Sequence, residues 1–189
     1  SPGMTTEKID LLFADLRKEL VALAKEKQTG REKAKKIMQE KSWKVPLPVQ
    51  EKLCKDVADW MGFPKENLVQ AVSTHPFCLS LHPTDVRITT RYAENDPMMS
   101  LMSTVHELGH GLYERQLPTR YPGTSEMKAN GMDLHESQSR FWEVCLATSK
   151  EFFEWVYDWY LKNAPACVEG LNALDLFHLY SVVEPSLIR

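Results

Sequence analysis

The chain lacks what would mark a membrane, fibrous or nucleic-acid-binding protein. No apolar run approaches the ~20 residues that a bilayer-spanning helix needs. Its eight glycines and eleven prolines are scattered rather than gathered into a repeat, which excludes collagen-like and low-complexity classes. Charge of one sign is also missing. Lys and Arg number 23 against 26 Asp and Glu, a net charge of -3, so nothing draws the chain to nucleic acid or an anionic membrane. Cysteine is sparse, and none of Cys54, Cys78, Cys145 and Cys167 falls in a C-x-x-C pair. A zinc finger or disulfide framework is therefore not expected, and buried free thiols in a reducing compartment are. Ser1-Pro2-Gly3 reads as a cloning remnant ahead of Met4. The segment after Met4 is charged and amphipathic with no secretory h-region, so the cytoplasm is the expected location. What remains, 43% hydrophobic and 26% charged residues, is the balance of a soluble globular protein.

Hydrophobic spacing predicts a mainly α fold. Ile9, Leu12, Phe13, Leu16, Leu20 and Leu23 predict an amphipathic helix over 5–28, stopped by Thr29-Gly30. The basic stretch 31–41 reads as a solvated helix face. A helix over 48–61 turns Val49, Leu53, Val57 and Trp60 inward and stops at Gly62. Between 71 and 92, Pro76 and Pro83 forbid a continuous helix, while Val86, Ile88 and Thr90 alternate with Arg87, Thr89 and Arg91. That pattern predicts a short strand or hairpin near 76–91, the one β signal in the chain. Asp96-Pro97 is a helix start, with a capping carboxylate followed by proline in the first turn. Its helix runs to about Leu117-Pro118, and a loop follows over 118–133. Helices are expected at 134–148, 150–163 and 172–183. In Phe152–Leu161 only Glu154 and Asp158 are polar, so that helix is apolar nearly all round and needs neighbours on several sides.

His106-Glu107-Leu108-Gly109-His110 is an H-E-x-x-H motif inside the helix that begins at Pro97. Residues four apart share a helix face, so both imidazoles can reach one metal ion. Glu107 is turned about 100° from its neighbours. There it can take a proton from water without being a ligand. A solvated helix face with idle His and Glu is the bland alternative. Against it stand Gly109 and Gly111, each costing roughly 1 kcal/mol in a helix interior, which suggests close approach of another element. A catalytic zinc site needs a third protein ligand. Glu136, at the start of the next helix, is the candidate, because the 118–133 loop can fold the two helices antiparallel. An i,i+4 surface pair between Glu136 and Arg140 competes with that reading, and His135 could be the ligand instead.

The stretch His106–Glu114 together with His135-Glu136-Ser137-Gln138-Ser139-Arg140-Phe141-Trp142-Glu143 resembles the M32 metallocarboxypeptidases, the Taq carboxypeptidase family. His75-Pro76-Phe77 is similar to that family's H-P-F motif, and Asp85-Val86-Arg87-Ile88-Thr89 to its D-x-R-x-T motif, in the family's order. The resemblance implies a helical, zincin-like catalytic core at the base of a long groove. It implies His106, His110 and Glu136 as ligands of zinc, sometimes cobalt, and Glu107 as general base and acid. It implies release of C-terminal residues from peptide substrates, and commonly a homodimer. His75 and Arg87 would line or support the substrate groove. Arg189, where the family's I-R-x-x-A-D motif begins, would hold the substrate carboxylate. Family members are more than twice as long, so residues 4–189 are expected to be a single partial catalytic domain. The rival expectation is a truncated, inactive fragment that binds metal or oligomerises.

Overall fold

The computed structural model describes residues 3–27, 32, 43–121 and 123–181. Thr29-Gly30, Arg189 and the basic stretch 31–41 except Glu32 lie outside the described residues. The chain divides into two compact units, residues 1–42 with 178–189, and residues 43–177.

In the first unit, helix α1 (Thr6–Glu26) starts where the Thr5 hydroxyl accepts a hydrogen bond from the Lys8 amide. The predicted periodicity is there, but none of its residues is buried, and Leu12 and Phe13 are 62% and 58% exposed.

The second unit begins with α2 (Leu47–Trp60), entered through Pro46 and Pro48 and ended at Gly62, whose φ of 77° suits glycine. Leu53 and Val57 are buried as the spacing predicts. Trp60 is 41% exposed rather than inward, because its ring covers Phe152 and Trp155 from outside, at 5.3 and 5.4 Å between centroids. Buried Gln50 is a polar clamp. Its Nε2 donates to the carbonyls of Val45 and Ala93, each at 2.8 Å, and its Oε1 accepts from the Ser100 hydroxyl at 2.8 Å.

Three strands follow: β1 (Leu68–Val72), β2 (Phe77–His82) and β3 (Asp85–Thr90). The order is β1-β3-β2, with β1 parallel and β2 antiparallel to β3. β2 and β3 form the predicted hairpin around Pro83-Thr84. β1 was not foreseen, because Leu-Val-Gln-Ala-Val is too short and too weakly alternating to stand out from its surroundings. Val86, Ile88 and Thr90 are buried and Arg87 is exposed, as the alternation requires. Thr89 departs from it and is buried, its hydroxyl taken by the Phe77 amide and by Ser73.

Helix α3 (Pro97–Arg115) packs against β2 and β3. Asp96 caps it, accepting from the Met99 amide at 3.1 Å. Helix α4 (Gly131–Arg140) begins three residues earlier than expected, after Asn130. The chain then continues in π-helical form over Phe141–Leu146, where an uninterrupted α-helix to 148 was expected. Ser149 caps α5 (Lys150–Asn163) through the Phe152 amide, and α6 spans Ala173–Tyr180. Helix α5 is central to the second unit. Phe152, Phe153, Val156, Trp159 and Tyr160 are buried, while Glu151, Glu154, Asp158 and Leu161 form its wet stripe. Its neighbours include Trp60, Trp43 and Phe177. The Trp159 indole also donates to Asp56 at 2.8 Å. The mainly α architecture with a small β segment is as the sequence predicts. No helix among the described residues is long and apolar enough to cross a membrane.

Candidate metal centre

The site is built where α3 and α4 cross. At Gly109 the two backbones come so close that an added Cβ would stand 2.7 Å from the Cα of Ser139 and 3.2 Å from the Gln138 carbonyl oxygen. A Cβ on Gly111 would meet Phe63 and Val86, each at 3.0 Å. These contacts explain both glycines flanking His110. One lets α4 in, and the other lets α3 settle against β3 and the turn after α2. Close approach outweighs the roughly 1 kcal/mol propensity cost of each glycine.

That crossing brings Glu136 over the histidine pair. Potential donor atoms of His106, His110 and Glu136 all lie within 4.8 Å of one another. His106 Nε2 stands 3.5 Å from Glu136 Oε2, and His110 Nε2 stands 3.6 Å from Glu136 Oε1. The imidazole rings meet edge to face at 4.8 Å. Glu136 is not paired with Arg140. Arg140 instead donates to Glu143 at 2.9 Å, and the Ser139 hydroxyl bonds Glu136 Oε2 at 2.9 Å.

The outer nitrogens of both rings are held. His106 Nδ1 contacts Glu143 Oε2 at 2.8 Å, and Glu143 is only 3% exposed. His110 Nδ1 faces His135 Nδ1, and His135 Nε2 meets Glu114 Oε1 at 2.7 Å. Both His135 nitrogens are thus engaged within the protein, which favours Glu136 as the third donor. Spacing held clues to Glu143 and Glu114, seven residues after Glu136 and four after His110. Sequence reasoning did not use them.

Burial and neighbouring charge tune the groups. His110 is pushed down to about 4 by burial first, then by the nearby imidazoles, so its ring is neutral at physiological pH. Glu107 is buried, and burial followed by the Glu136 charge pushes it up to about 7, against the opposing influence of His106. It can hold or release a proton near neutrality. Cys78, on β2, is pushed up to about 12 by burial and by Glu107 and Glu114, so it is an inert thiol beside the site. All four cysteines are free. Cys54 is buried, but Cys145 is exposed, unlike the buried set expected.

The other predicted site residues stand apart from this cluster in different ways. His75 is exposed in the turn before β2, its carbonyl accepting from the Ser73 hydroxyl. Arg87 lies on the sheet face opposite the buried Val86 and Ile88, in a two-pronged pair with Asp85, both contacts at 2.9 Å. Arg189 lies outside the described residues.

Two imidazoles and a carboxylate brought together by α3 and α4, with buried Glu107 next to His106 in sequence, resemble the His-His-Glu donor set of catalytic zinc sites. The profile of one family, described as carboxypeptidase Taq (M32) metallopeptidase, matches residues 1–189. The chain belongs to that family. It is 35% identical to thermostable carboxypeptidase 1 of Pyrococcus furiosus over 99% of this chain and 37% of that protein. It is 32% identical to thermostable carboxypeptidase 1 of Thermus thermophilus over 100% and 36%. The crystal structure of the M32 carboxypeptidase from Deinococcus radiodurans superposes with a TM-score of 0.83 at 32% identity, covering 98% of this chain and 37% of that one. This M32 chain therefore spans little more than a third of the length of the relatives it matches. As a member of a metallopeptidase family, it is expected to hold a divalent metal, and its clustered donors fit one.

Proposed function

We propose that this M32 chain carries the metal centre of a carboxypeptidase that releases C-terminal amino acids from peptides. His106, His110 and Glu136 would hold the ion, zinc by preference and cobalt as a substitute. Two neutral nitrogens with one carboxylate suit zinc, and they leave a fourth position open. The bound ion would supply Lewis acidity to the scissile carbonyl and lower the pKa of the attacking water. Glu107 takes the proton of that water on its carboxylate and delivers it to the leaving amine. Its burial supports this role, since burial raises the carboxyl above the ordinary carboxylate range and favours proton uptake. Glu143 holds His106 in place from the far side of the ring. His75, Arg87 and Arg189 would bind the substrate, Arg189 taking its terminal carboxylate. A cytoplasmic location and a homodimer belong to the same reading.

The observation that carries the proposal is the convergence of His106, His110 and Glu136 across the Gly109–Ser139 crossing. Metal content measured by mass spectrometry, together with release of the terminal amino acid from an N-blocked dipeptide, tests it. About one zinc per chain is expected. Glu107→Gln should keep the metal and lose hydrolysis, and His110→Ala should lose both. Undiminished hydrolysis by Glu107→Gln would end the proposal. Zinc without turnover in the unmodified chain would assign this span metal binding alone.

A further inference from the structure

We propose that Glu114 and His135 form a positioning relay that fixes the His110 proton on Nδ1 and leaves Nε2 as a bare lone pair for the metal. The inference rests on the metal-centre reading above and adds two residues to it.

A carboxylate only accepts hydrogen bonds. Glu114 Oε1 lies 2.7 Å from His135 Nε2, so that nitrogen carries the hydrogen. A neutral imidazole has one N–H, which leaves His135 Nδ1 as an acceptor. The atom facing it is His110 Nδ1. Two bare nitrogens, or two N–H groups, would repel at that contact, so His110 Nδ1 is the donor. As a neutral imidazole, the form in which histidine ligates a metal, His110 has no second N–H. Its Nε2, the atom 3.6 Å from Glu136 Oε1, therefore carries a lone pair. For two neutral rings beside a carboxylate, this is the one arrangement that satisfies every contact.

Packing keeps the relay from rotating away. The Tyr113 ring meets His135 edge to face at 5.2 Å and 90°. The Tyr113 hydroxyl in turn accepts from the amide of Asn130, the residue before α4. The side chains of His135 and Glu114 are only 14% and 18% exposed, so water competes weakly for their contact. Adjacent residues on α4 are turned about 100° apart. Glu136 accordingly reaches the inner side of His110 and His135 the outer side. One helix presents both the third donor and the lock on the second.

The test uses the unmodified metal-free chain and three variants. Long-range nitrogen–proton NMR correlations report which nitrogen of each imidazole is protonated. Chelator competition reports zinc affinity. His110 is expected wholly as the Nδ1–H tautomer and His135 as the Nε2–H tautomer. Glu114→Leu should mix the His135 tautomers, and His135→Phe should weaken zinc binding by about 10–100-fold. His135→Asn, whose carbonyl can accept from His110 Nδ1–H, should recover most of that loss. A merely space-filling role would rank phenylalanine above asparagine. Finding His110 in the Nε2–H form, or His135→Phe binding zinc within about twofold of the parent, overturns the relay. If the parent takes up no zinc, the metal-centre reading fails, and the tautomers alone decide the relay. They also decide it if a variant does not fold.

Discussion

The Cα of Ser139 sits 2.7 Å from where a Gly109 side chain would begin, so the peptide backbones of α3 and α4 touch at that point. The candidate metal donors lie on the two helices that meet here, His106 and His110 on one and Glu136 on the other. Gly109→Ala gains about 1 kcal/mol of helix propensity but must push α4 away. The expected net result is a loss of about 1–3 kcal/mol of stability in urea unfolding, with zinc affinity falling alongside it. A variant of unchanged stability and affinity would show that the helices do not need this contact.

Zinc should stabilise the fold by mass action. At a free concentration 100 times its dissociation constant the gain is about 2.7 kcal/mol. Thermal unfolding with zinc, then with added chelator, should show a reversible rise in melting temperature. His110→Ala should show none.

Glu107 makes the metal-free chain sensitive to pH. Its folded value is raised from 4.5 to about 7, so between those values the native state holds a proton that the unfolded chain has released. Its contribution therefore favours folding least at high pH, and stability falls as pH rises through the window. Glu107→Gln removes that dependence. The variant should be more stable than the parent above pH 7, by up to about 3 kcal/mol, and should lose this advantage below about pH 4. The opposite shift of His110 is common to both proteins and cancels in the comparison. Urea titrations in the presence of chelator would measure the difference.

Glu143 is almost fully buried between Arg140 and His106. Glu143→Leu should leave helix content by circular dichroism intact. It should cost about 10–100-fold in zinc affinity, because the His106 ring loses the partner on its Nδ1. Unaltered affinity would reduce Glu143 to a packing residue.

Gln50, on α2, ties the Val45 and Ala93 carbonyls to Ser100 on α3. Gln50→Leu would bury the Val45 and Ala93 carbonyls without their Nε2 donor, while the Ser100 hydroxyl keeps the Pro97 carbonyl. A loss of about 2–4 kcal/mol in urea unfolding is expected.

The parts of this molecule legible in the sequence are those governed by local rules. Asp96-Pro97 marked the start of α3, Gly62 the end of α2, and the alternation at Val86–Thr90 the central strand. The four-residue spacing of His106 and His110 put both rings on one face, and Gly109 signalled a close neighbour. The neighbour itself was not legible, because Ser139 meets Gly109 only through tertiary packing. Strand β1 escaped for the same reason, since it is held by parallel pairing with β3 rather than by any pattern of its own. The π-helical stretch 141–146 has no proline or glycine to announce it. The apolar stripe of α1 predicted a helix correctly, yet the stripe lies exposed in this structure. His135 was recognised as a possible ligand. Its placement between His110 and Glu114 depends on where the 118–133 loop delivers α4, which local spacing does not encode.

The π-helical stretch has a consequence for how this region can vary. Glu136 and Glu143 approach opposite nitrogens of the His106 ring from one unbroken helical path, seven positions apart. That interval works as a ruler: insertion or deletion of one residue inside it would swing one carboxylate off the imidazole. The connection before α4 lies outside that interval, and its Asn130 end is tied to the Tyr113 hydroxyl. Changes of length in this part of the molecule should therefore be tolerated between Pro118 and Lys128 and rejected between Glu136 and Glu143.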